Sequence, residues 1–284
     1  PNNDGDADQF LQTNGSGVLS FAAVSGGVTF KEGGTNFTNS LLVGTDGTGT
    51  LDAAQKNTGV GTGVFAALTS GDNNTAVGMN ALKTTTTGSD NTAIGRNAME
   101  KNVSGTENAA VGIYSLACNT TGADNTAVGA NSLCANTTGP FNTAVGKDAL
   151  LANTTGCLNT AVGKAALCTN TTGCTNTAVG RDAMLANTTG DHNVAVGHEA
   201  LDSNTTANDN TAIGSASLAT NTTGSQLTAI GKDSLKDNTT GYQNTAVGFQ
   251  SSCSNTDGFN NVAMGPYALR TNTTGDCNVA IGNE

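Results

Sequence analysis

"NTAVGKDALLANTTGCL" occupies residues 142–158, and "NTAVGKAALCTNTTGCT" follows at residues 159–175. The phrase returns every 17 residues, its core opening at Asn57, Asn74, Asn91 and onward to Asn278, with Leu227 alone replacing the first Asn. Thirteen full repeats and a truncated fourteenth run on without an insertion or deletion. Loops of an ordinary globular domain accept insertions, whereas coils stacked in register accept few. An unbroken short period therefore reads as a solenoid rod.

The columns of the repeat carry the structural signal. Position five is Gly in all fourteen copies, from Gly61 to Gly282, and position four is always Val, Ile or Met. Position three is Ala except at Gly59, position eight is Ala or Ser except at Val64, and position fifteen is Gly except at Ala207. Position two is mostly Thr, replaced by Val at Val194, Val262 and Val279, so β-branched shape matters there more than the hydroxyl. "NTAV" reads as a short strand closed by Gly, "ALxxN" as a second extended piece, and "NTTG" as a turn. Pro140 and Pro266 fall at predicted turns, where the missing N–H does no harm. Two glycines per repeat and Thr-rich pieces oppose a helix. The expected fold is all-β, a parallel β-solenoid or β-roll of 17-residue coils.

In the quoted repeat, Val145 and Leu150 supply apolar columns, Gly146 and Gly156 the bends, and Asn153 a hydrogen-bonded ladder. Two large apolar side chains per coil make a thin core. Residues four and nine also differ in parity, so they need not face the same interior. We expect one apolar column inside the coil and the other at a subunit interface.

Composition narrows the function. Of 284 residues, 36% are hydrophobic, 4% aromatic and 12% charged, with 38 Gly and no Trp, a palette of turns and polar strands rather than of a large enzyme core. The net charge of −11 and the lack of any basic cluster argue against nucleic acid as a partner. No apolar run is long enough to insert into a membrane as a helix. The start without Met reads as a processed or partial chain, and the fourteenth repeat, stopping at "NVAIGNE", is expected to continue. Seven cysteines without a CxxC pair do not make a disulfide framework.

"NTAVGKDAL", "NTAIGSASL" and "NVAVGHEAL" resemble the head repeats of trimeric autotransporter adhesins, with their A-[VI]-G-x-x-[SA] core. With "NTTG" between cores they are more similar still to repeats of phage and large-virus tail-fibre proteins. The resemblance covers residues 57–284 and implies a left-handed parallel β-roll in which three identical chains pack around one axis. The repeat is slightly longer than in adhesin heads and no coiled-coil stalk follows, which favours a fibre segment. Residues 1–56 are read as a β-rich neck or shaft piece, with hairpins around Asn14–Gly15 and Asp46–Gly47. "GDADQFLQTNGSGVLSF", residues 5–21, also resembles tail-fibre shaft segments.

Individual residues offer little chemistry. His192 and His198, beside Asp191 and Glu199, are read as solvated surface in turn columns, and no catalytic, metal or cofactor site is expected. Lys147, Lys164 and Arg181 stack in column six with Asp148 and Asp182 beside them, a charge-mixed edge. Nine "NTT" sequons between Asn119 and Asn272 read as a structural Asn column rather than glycan acceptors. Cys157 and Cys174 share column sixteen one coil apart, inside the reach of a disulfide. Tyr242 and Phe259 share that column too, and Phe249 and Tyr267 lie in columns six and seven of neighbouring coils, a candidate contact for a glycan or partner.

The expectation is a structural fibre protein rather than an enzyme. It would be the homotrimeric rod of a phage or virus tail fibre, supporting host attachment and joined to other fibre segments. One alternative is a cell-surface adhesin whose rod binds glycan or matrix; a host-surface glycan or receptor is the candidate partner. Another is an ice-binding β-solenoid.

Overall fold

Three residues of each repeat, the β-branched "TAV" run, are extended enough to pair with their copies above and below. The computed structural model describes residues 9–13, 19–23, 29–32, 37–38, 40–44 and 53–283. Its strands are β1 (Gln9–Thr13), β2 (Leu19–Ala23), β3 (Thr29–Glu32), β4 (Phe37–Thr38), β5 (Leu41–Gly44) and β6 (Ala54–Gln55). Fourteen three-residue strands follow at 17-residue intervals, from β7 (Thr58–Val60) to β20 (Val279–Ile281). Each pairs in parallel with the next, residue on equivalent residue, as Thr143, Ala144 and Val145 do with Thr160, Ala161 and Val162. Backbone bonds close the ladder at both ends of the strand: Thr143 N–H donates to Asn159 O and Gly146 N–H to Val128 O, each at 2.8 Å. At about 4.8 Å per coil the ladder runs roughly 65 Å.

Only one strand forms per coil from residue 57 onward, so the second extended piece expected at "ALxxN" is a turn. The reason lies in the backbone. Asp148, Leu150 and Leu158 have φ of 60°, 50° and 57°, and the same three columns are left-handed in nearly every coil. Asn and Asp tolerate that region at columns seven and seventeen; Leu at column nine does so at a cost. The turn aims Leu150 into the coil, where it is fully buried, and its N–H still finds Ala166 O of the next coil at 3.0 Å. Burial of the side chain and an unbroken ladder offset the strain.

The two glycine columns do different work. Gly146 has φ of 135°, and a Cβ there would lie 2.5 Å from Gly163 O. Gly156 is not left-handed; it is small because a Cβ would meet Asn153 Oδ1 at 2.4 Å and Gly173 O at 2.5 Å. It is therefore a close approach rather than a bend. Ala207 shows what an added methyl does: the step from Asn221 to Asn204 stretches to 3.2 Å, against 2.8 and 2.9 Å for the steps on either side.

The ladder starts upstream of residue 57. β5 pairs in parallel with β7, Leu41 on Thr58 and Val43 on Val60, and antiparallel with β3 on its other side. Ser40 stands where later coils carry Asn, accepting the Asn57 N–H at 2.8 Å. Leu41–Gly44 is thus a coil strand, not the first arm of a hairpin around Asp46–Gly47; residues 45–52 lie outside the described residues. The other expected hairpin has its arms, β1 antiparallel to β2 with Thr13 opposite Leu19, while its turn at Asn14–Gly15 lies outside them as well. Leu42, Phe65 and Val64 fill the first interior, which explains Gly59: a Cβ there would sit 2.8 Å from both Leu42 Cδ1 and Val64 Cγ1.

Candidate functional site

Each strand turns position three inward and positions two and four outward. Ala144 and its equivalents from Ala76 to Ala263 are fully buried, whereas position four forms a column of largely exposed aliphatics along the rod. Val60, Ile94, Val128, Val162 and Ile230 show 37–41% of their surface. Val145 is half-buried in the same column. Thr lines the neighbouring outward row, half-buried at most coils. Met79 and Ile113 in column six, 45% and 46% exposed, widen the apolar face in the first coils. The outward face of the ladder is thus a strip of Thr and Val/Ile about as long as the rod.

Inside, two Asn ladders replace the large apolar core that the composition lacks. Asn153 Nδ2 donates to Asn136 Oδ1 at 2.9 Å and to Gly156 O at 3.0 Å, and its own Oδ1 accepts from Asn170. Column one makes a second ladder, beyond the one expected at column twelve. Asn142 donates through its backbone and side chain to Asn125 Oδ1, and through Nδ2 to Gly156 O at 2.8 Å. Its signal was the Asn opening almost every repeat. Thr154 Oγ1 adds a bond to Thr171 O at 3.0 Å. Asn153 has no exposed surface, so the "NTT" amide faces its neighbours rather than a modifying enzyme. Satisfied buried amides of this kind fix register as well as stability.

The turn edge holds the variable residues. Lys147 pairs with Asp148 at 3.7 Å and Lys232 with Asp233 at 2.9 Å, while Asn131 Nδ2 donates to Asp148 Oδ1. Around His198 the edge is denser. Asp182, His198 and Glu199 bring three ligand-type atoms together, but Arg181 stands among them, 2.8 Å from Asp182 and 3.7 Å from Glu199, and its Nη2 touches His198 Nε2. A guanidinium in that place makes an ion-pair cluster and repels a cation. His192 lies apart in column seventeen, its N–H on Cys174 O. Burial, reinforced by Glu199 and Asp182, raises the nearby Asp202 carboxyl above its ordinary value.

The paired residues meet as their columns require. Cys157 Sγ and Cys174 Sγ are 2.7 Å apart. Tyr242 and Phe259 stack with centroids 4.9 Å apart and planes at 3°, and Phe249 meets Tyr267 edge-on at 5.4 Å. Lys232 Nζ lies 5.6 Å from the Phe249 ring and the Arg270 guanidinium 5.1 Å from Tyr267. Coil spacing imposes the Tyr242–Phe259 stack.

No protein-family model, curated protein or solved structure matches the chain. Among the described residues no helix is long and apolar enough to cross a membrane.

Proposed function

We propose that the chain is a structural fibre protein in which three copies pack along the exposed Val/Ile columns into one rigid rod. It would serve in a phage or virus tail fibre, or on another extracellular surface, holding an attachment tip away from the particle. The observation that carries this reading is the outward column at position four. Single exposed aliphatics are ordinary, but a continuous strip along a whole rod is the mark of a surface meant to be covered. A second copy supplies a matching strip, because an in-register ladder repeats at the same spacing in every chain. Length is the useful product, since each added repeat adds one coil rise. Electron microscopy of the purified chain tests it. The reading expects straight rods of roughly 65 Å, from the coil spacing, with three-fold end views. Flexible strings or single thin coils would contradict it.

The two aromatic pairs favour a further role in host-surface contact, as in an adhesin. Tyr242 and Phe249 are 44% and 39% exposed, and Lys232 lies by Phe249 and Arg270 by Tyr267, the usual furniture of a sugar or protein contact. Loss of cell binding by folded Tyr242→Ala/Phe259→Ala supports that role, and undiminished binding removes it. The outward Thr row is also what an ice-binding reading relies on; thermal hysteresis at the buffer background would dismiss it.

A further inference from the structure

We propose that Cys157 and Cys174 form an intercoil disulfide when the rod meets a low-molecular-weight disulfide such as oxidised glutathione, stapling the coil at 142–158 to the coil at 159–175. The ladder itself brings them together. Asn142 bonds Asn159 and Val145 pairs with Val162, so column sixteen of one coil sits directly over column sixteen of the next. At a step of about 4.8 Å this falls within the Cα separation that a disulfide bridges. The sulfurs lie 2.7 Å apart, less than an ångström from the bonded distance of about 2.05 Å, and Cys157 N–H also points at Cys174 Sγ at 3.0 Å. Both side chains are half-exposed, so a small oxidant reaches them.

The other five cysteines lack this arrangement. Cys134, Cys168 and Cys253 share column ten but never in adjacent coils, and Cys277 lies in column seventeen; Cys118, in a different column, eleven, bonds to Cys134 of the next coil through its backbone, N–H to O at 3.0 Å. Two coil steps, roughly 9.6 Å, exceed what a disulfide spans. The hydrogen bond with Cys174, with burial behind it, pushes the Cys157 thiol up to about 11.

The exchange begins when one of the two thiols loses its proton. That thiolate attacks one sulfur of oxidised glutathione and releases one glutathione thiolate, leaving a mixed disulfide. The other cysteine then loses its proton to solvent and attacks the protein sulfur of the mixed disulfide, expelling the second glutathione thiolate. Two protein thiols become one S–S bond. Their two electrons reduce the S–S bond of the oxidant, and the two protons end on the glutathione released.

The test uses the whole folded chain, treated with oxidised glutathione, alkylated to block remaining thiols, then denatured and digested with trypsin. Lys164 lies between the two cysteines, so the bond joins two peptides that otherwise separate. Cys168→Ser removes the second thiol of the later peptide and makes the assignment unique. The expected result is a joined pair through Cys157 and Cys174, absent when the chain is denatured before oxidation, and a glutathione adduct persisting on Cys174 in Cys157→Ser. Separate peptides, or a bond from Cys157 to any other cysteine, would overturn the proposal.

Discussion

Leu150 and Val145 lie five residues apart in one coil, and the two columns they represent have opposite fates. The Leu column has no exposed surface from Leu82 to Leu235 apart from Met replacements that are equally buried, such as Met99 and Met184. The Val/Ile column stays more than a third exposed at coil after coil. Both are equally regular, and both are apolar. The difference is that position three of each strand faces the interior, so alternation turns position four outward, while the left-handed turn at column nine aims Leu inward. A repeat that keeps both columns apolar describes two packing surfaces, of which a lone chain uses one.

The comparison breaks first at the outer column. Val128→Asp, Val145→Asp and Val162→Asp together put a charged row on the strip. They are expected to reduce the assembled rod to single chains that keep the solenoid's circular dichroism, the stacked carboxylates costing the coil about 1 kcal/mol for each neighbouring pair. An assembled triple mutant would show that the strip is not the contact. Leu150→Ala strikes the inner column instead and is expected to cost about 2–5 kcal/mol in denaturant melts while leaving the subunit count intact. Asn153→Ala is expected to cost a comparable amount. It orphans Asn136 Oδ1 and one Asn170 N–H at about 1–3 kcal/mol for each group, and Gly156 O keeps its bond from Asn142.

The smallest effect has the opposite sign. Ser234 Oγ is buried without a partner, whereas Ser217 and Ser251 in the same column donate to Ala229 O and Ala263 O. Ser234→Ala is expected to stabilise by about 1 kcal/mol, and Ser217→Ala to destabilise by a similar amount. Equal effects in the two thermal melts would mean that the column does not distinguish them.

Much of this fold was legible because a repeat samples the same environment fourteen times. The Ala, Gly and Val columns located the strand, and shared columns located the Cys157–Cys174 and Tyr242–Phe259 pairs. What escaped was conformational. "ALxxN" reads as extended, yet Leu150 turns left-handed to reach the interior, and nothing in a Leu announces φ of 50°. A signal for the neighbouring bends was present in the Asn and Asp of columns seven and seventeen, the residues that accept that region. The coil at "SLLVG", residues 40–44, was hidden because Ser40 replaces Asn and Leu42 replaces Ala, leaving only Val43 and Gly44 in pattern. Its ladder position is plain once Ser40 is seen accepting from Asn57. The partner of the Val/Ile strip is a different matter, since one chain records a surface and not what covers it.

The central claim is that three copies cover that strip, and the mass of the particle in solution measures this directly. Light scattering on the full chain is expected to give three times the chain mass of 28.1 kDa, constant on dilution through the micromolar range. A particle at the mass of one chain, with the Val/Ile column left in water, would contradict the account.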